Sequence, residues 1–106
     1  MGNPAFTADF LKGYAAYKSG DYATALREFR PLAEQGSAGA QNNLGVMYET
    51  GDGVPQDYRT AVKWYGRAAE KGDAYAQRNL QVLQKTETVA EISRNITMVL
   101  SRNSSL

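Results

Sequence analysis

Any chemistry this chain performs has to be carried by carboxylates, because its 106 residues include 11 Asp and Glu but neither histidine nor cysteine. Those missing types remove thiolate nucleophiles, disulfides, the usual zinc ligand sets and the commonest general base together. Two carboxylates can pair for acid–base work. Yet no Asp or Glu stands out from helix-capping or solvated-face roles, so the expectation is a protein that is not an enzyme and holds no metal or cofactor. One segment, Gly51-Asp52-Gly53, has the look of a ligand loop. A calcium loop needs several more oxygen ligands at fixed spacing, and a phosphate loop needs its Lys and Ser or Thr. Neither set is present, and the segment reads as a structural turn.

Charge narrows the partners. The 12 Lys and Arg against 11 Asp and Glu leave +1, and the basic residues are scattered along the chain. Neutralising phosphates takes clustered cations, so no nucleic-acid partner is expected. No apolar run nears the ~20 residues of a membrane span, so no membrane insertion is expected.

The elements that must position any binding side chain are written twice. EQGSAGAQNNLG, Glu34 to Gly45, returns as EKGDAYAQRNLQ, Glu70 to Gln81, an offset of 36 residues. Asp21-Tyr22 returns as Asp57-Tyr58, Phe29 as Tyr65, and Ala40-Gln41 as Ala76-Gln77. Asp21, Ser37, Asp57 and Asp73 stand just before apolar-periodic segments, where a short acceptor side chain caps free helix N–H groups. Gly20, Gly36, Gly51 and Gly72 follow such segments, where a left-handed residue ends a helix without steric cost. Each unit is therefore two short antiparallel helices. The punctuation predicts helices over Thr7–Ser19, Tyr22–Gln35, Ala38–Thr50, Tyr58–Lys71 and Ala74–Lys85. Pro31, inside the second, is expected to bend it. The stripes Tyr22, Ala25, Leu26, Phe29, Leu32, Ala33 and Tyr58, Ala61, Val62, Tyr65, Ala68, Ala69 read as core.

The second unit also carries, in order, Ala40, Leu44, Gly45, Tyr48, Gly51, Gly53, Val54, Asp57, Ala61, Trp64, Ala68, Ala69, Gly72 and Ala76. In these residues it resembles the Sel1-like repeat family, short relatives of the tetratricopeptide repeat. The first unit, with Gly13, Gly20-Asp21-Tyr22, Ala25 and Phe29, looks closer to a plain tetratricopeptide repeat. Together they cover about Phe6 to Leu83. One helix pair cannot bury its apolar stripe alone, so pairs stack. The resemblance thus implies an all-α fold, a right-handed α–α superhelical solenoid of about two and a half helix pairs with a C-terminal capping helix. Repeat 1 would occupy 6–36, repeat 2 37–72, and a partial repeat 3 plus the cap 73–101, before a frayed tail at 102–106. The resemblance also favours a periplasmic or secreted chain over a cytoplasmic one.

In such stacks one helix of each pair lines a concave surface on which partners lie. The resemblance assigns that surface to the first helix of each unit. Helical spacing then nominates Phe10, Tyr14 and Lys18, then Asn42, Val46 and Glu49, then Tyr75, Arg78 and Val82. Aromatic anchors beside an Arg and an Asn suit a peptide or protein groove. The expected function is a non-catalytic interaction module, an adaptor for a peptide or partner protein. Past the repeats, Val89, Ile92, Ile96, Val99 and Leu100 continue at helical spacing. Residues 88–101 are expected to turn back as the partner of Ala74–Lys85 and close the stack. The alternative is a homodimer formed through that apolar face.

Overall fold

The computed structural model describes residues 7–104, which form five helices and no strand among the described residues. These are α1 (Phe10–Lys18), α2 (Tyr22–Glu34), α3 (Ala38–Thr50), α4 (Tyr58–Glu70) and α5 (Ala74–Ser104). Each helix packs on the next in the chain, α1 on α2 through to α4 on α5. The fold is an all-α solenoid. Phe6, where the first repeat was expected to start, and tail residues 105 and 106 lie outside the described residues.

The caps act where the sequence puts them. Asp21 accepts from the Thr24 amide, Ser37 from Ala40, Asp57 from Arg59 and Thr60, and Asp73 from Ala76. The Thr60 hydroxyl and amide hold the Asp57 carboxyl below its ordinary range, and Thr24 does the same for Asp21. α1 starts later than expected, because Asp9 is its cap and accepts from Leu11 and Lys12. α2 runs through Pro31, whose missing N–H leaves one carbonyl of the preceding turn without its helical donor.

The core lies between the two helices of each pair and between neighbouring pairs. Ala16, Ala25, Phe29, Ala33, Ala40, Leu44 and Met47 form one buried cluster, joining α1, α2 and α3. Ala61, Tyr65, Ala68, Ala76 and Leu83 form the second, joining α4 and α5. Tyr48 packs against both, and Trp64 reaches from α4 into the first. One contact repeats in each pair. A Cβ on Gly13 would stand 2.9 Å from the Phe29 ring, and one on Gly45 would stand 2.6 Å from Tyr65. Only glycine leaves room for a ring to lie against the facing backbone.

The end of the chain departs from expectation. α5 is one helix of 31 residues, so the closing helix expected at 88–101 is its continuation and does not turn back. The helix continues to Ser104, into the tail expected to begin at Arg102. The cause is local. No Gly or Pro stands between Ala74 and Ser104, so nothing stops the helix where a turn was needed. The molecule is therefore long, 72 × 27 × 23 Å.

Candidate functional site

The nominated residues fall on α1, α3 and α5, and contacts place these helices side by side. The Phe10 ring lies 3.1 Å from where a Cβ on Gly39 of α3 would be. One turn further along α3, the Asn79 amide donates to Asn42 Oδ1 at 3.1 Å. The nine side chains differ in availability. Phe10 is partly buried, tilted against Phe29 at 5.6 Å and stacked on Tyr14 at 6.4 Å, so it serves the core. Val46 also packs against core, and Asn42 is occupied by Asn79. Tyr14, with Lys18 Nζ 5.9 Å from its ring centroid, is exposed, as are Arg78 and Val82. Tyr75 is the most open aromatic ring among the described residues, at 73%.

Two of the nine share a groove. Glu49 at the end of α3 and Val82 on α5 line a cavity of about 280 Å³ with Tyr58, Leu83, Glu87 and Arg94. It exists because α5 continues past the body, so that Glu87 and Arg94 form a wall the expected short helix could not supply. A wider, more open dish of about 670 Å³ lies over α2. The groove combines apolar side chains with two acids and one guanidinium, a mixture suited to a polypeptide segment.

Glu49 also has an internal duty. The Tyr65 hydroxyl donates to Glu49 Oε1 at 2.7 Å, and Tyr17 donates to Asp52 Oδ2 at 3.3 Å. Burial, then the Glu49 bond and charge, push the Tyr65 phenol far above its ordinary 10.0. Burial and Asp52 push Tyr17 the same way. A phenol with a raised folded pKa stabilises the fold below its unfolded value and loses that contribution as pH rises. Stability should therefore fall above about pH 10. In alkaline titration followed by circular dichroism, Tyr65→Phe should shift that fall to higher pH; an unchanged midpoint would exclude Tyr65 as the cause.

The loop from Gly51 to Asp57 is structural. Val54 packs on the first core cluster, and a Cβ on Gly53 would meet Tyr22 Cβ at 2.7 Å. Asp52 is taken up by Tyr17 and by the Thr50 hydroxyl at 2.8 Å. The extra length thus folds back over α2 and fastens the pairs together.

Sequence reasoning left three polar roles unassigned. Gln41 donates to the Ala33 carbonyl at 3.0 Å, and Gln77 to Ala69 at 3.2 Å, each satisfying the end of the preceding helix. Their recurrence beside Ala40 and Ala76 was the visible signal. Glu28 gave none. It is buried, accepts from the Asp9 amide at 3.0 Å, and has Arg27 Nε 3.6 Å from its second oxygen. Among the described residues no three Asp or Glu side chains gather as metal ligands would, and no helix is long and apolar enough to cross a membrane.

A glycine seat for a buried tyrosine, a glycine-bounded loop and paired alanines all belong to the second unit. The Sel1 repeat model matches residues 38–73. The chain carries a Sel1 repeat. Its span is one full 36-residue period and contains α3, the Gly51–Asp57 loop and α4. Sel1 repeats generally mediate protein–protein interaction and are generally non-enzymatic. No curated protein matches the chain.

Proposed function

We propose that this protein is a non-catalytic adaptor that binds an extended peptide or a segment of a partner protein along the surface of α1, α3 and α5. The groove between Glu49 and Val82 carries the reading. It is walled by helices that pack on one another, so a ligand meets side chains already in place. Tyr14 on α1 and Tyr75 on α5 offer further exposed ring surface, and ring burial dominates interface energetics. Because so few helices contribute, the contact is small and micromolar affinity is expected.

The test is capture of partners on the immobilised chain, followed by titration of the captured segment. Val82→Asp with Arg94→Glu should weaken binding about tenfold or more, at unchanged helix content. The Tyr14→Ala/Tyr75→Ala pair should weaken it less. If both variants bind as the parent does, the surface is wrongly assigned.

A second reading is self-association through α5. It is favoured by the apolar stripe from Val89 to Leu100, which no other helix covers among the described residues.

A further inference from the structure

The distal half of α5 needs an occupant, and its side-chain pattern says which. Val89, Ile92, Ile96, Val99 and Leu100 are each between 52% and 62% exposed. At about 100° per residue, Val89, Ile92, Ile96 and Val99 lie on the opposite side of the helix from Ala76, Leu80 and Leu83, which pack toward α4. The stripe therefore points away from α4, and among the described residues no other helix covers it. Its spacing is three, four, three, the seam of a two-helix coiled coil. The same register puts Val82 and Lys85 before it and Asn103 after it.

The first half of α5 is finished differently. Where α3 has Gly45 and Tyr48, α5 has exposed Gln81 and Gln84, a polar outer edge like that of a terminal repeat. So the solenoid ends at α5, and the distal stripe is not an unfilled seat for a further helix of the stack. Left alone, a helical stretch rich in Val, Ile and Thr persists poorly.

We propose that α5 pairs with α5 of a second copy, antiparallel, so that Val89 meets Val99 of the partner subunit and Ile92 meets Ile96 of the partner subunit. The proposal rests on the self-association reading and adds the surface and its orientation. One feature favours an identical partner and two favour the antiparallel orientation. Of the positions flanking the stripe, Thr86, Thr88, Ser93, Asn95 and Leu100 are uncharged and Arg102 alone carries a charge, set by the antiparallel pairing across from Thr88 of the partner subunit, so two identical faces meet without like-charge repulsion. Orientation follows from the ends. In a parallel pair Lys85 would face its own copy, whereas the antiparallel pair sets it against the Asn103 side chain, which can accept from it. Branched side chains at every seam position from Val89 to Val99 also disfavour a parallel two-stranded coil. A membrane surface fits worse, because Glu87 and Glu91 mix with Lys85 and Arg94 where such a helix is predominantly basic.

The seam buries roughly 1,000 Å² in all, just under the usual range for stable complexes, so association should depend on concentration. Sedimentation equilibrium of the full chain should find monomer at about 1 µM and dimer at about 200 µM. Ile92→Ser with Ile96→Ser should abolish the dimer while the thermal transition of the body remains. Cysteine pairing then reads orientation, since the chain has no cysteine of its own. Mixed Val89→Cys and Val99→Cys chains should form a disulfide dimer under mild oxidation, and neither variant alone should. A monomer at every concentration overturns the self-association reading and the seam together. A dimer that survives the double serine change overturns the seam alone, leaving association through another surface. Efficient Val89→Cys pairing with itself means parallel helices and overturns the proposed orientation.

Discussion

Gly45→Ala should lower stability by about 2–3 kcal/mol, although alanine is the better helix former by about 1 kcal/mol. The new Cβ would sit 2.6 Å from two carbons of the Tyr65 ring. A flexible surface side chain could step aside, but Tyr65 is fully buried and its hydroxyl is held by Glu49 at 2.7 Å. Either α3 moves off α4 or that hydrogen bond breaks, and both disturb the second core cluster. The melting temperature should drop by roughly 10–20 °C. Gly66→Ala supplies the opposite sign from the same chemical change. Gly66 lies within α4 and a Cβ there meets nothing within 4 Å. It should gain about 0.5–1 kcal/mol from helix propensity. Denaturant midpoints for the two variants should move in opposite directions. If Gly45→Ala leaves the midpoint in place or raises it, close approach of α3 to Tyr65 is not what seats the second pair.

The same glycine seat shows why the fold was more legible than its surface. Tyr65 repeats Phe29 at the 36-residue offset, but their glycines, Gly45 and Gly13, stand only 32 apart. The longer loop of the second unit absorbs the difference, so the echo hides the pairing while keeping the contact. Caps and left-handed glycines act within a few residues of themselves, and they placed α3 at Ala38–Thr50 as expected. The end of α5 depended on a signal that is not there, a breaker near Thr86, and absence of a stop was outweighed by the expectation of a closing pair. Of the nine positions that helical spacing nominated for a partner, Tyr14, Lys18, Tyr75, Arg78 and Val82 are exposed. Spacing could not tell that Phe10 turns into the core, because it gives a face and packing depends on how closely Gly39 lets that face approach. Glu28 was illegible for a related reason. Its burial comes from Gly13 backing onto it, with a Cβ-to-Cβ distance of 2.9 Å were Gly13 substituted, and its partner is a backbone amide.

Phe29→Ala should cost about 3–5 kcal/mol, a large share of what a domain of this size has. Phe29 is fully buried between Phe10 and Gly13, and no neighbouring side chain is placed to refill the space without leaving another contact. How that loss is distributed matters more than its size. Stacked repeats behave as a row of units coupled to their neighbours, so damage in one pair opens that pair first. Here α1 and α2 depend on the first cluster, and α5 depends on the second. Amide hydrogen exchange in Phe29→Ala should therefore quicken by two orders of magnitude or more in α1 and α2, with much smaller changes in the first half of α5. Tyr48 and Trp64 are the links that could spread the effect, since Tyr48 touches both clusters and Trp64 carries α4 onto the first. Equal acceleration in all five helices would mean those two side chains couple the pairs into one cooperative block. The adaptor surface would then be opened along with everything else, rather than surviving on α3 and α5 when the first pair is loosened.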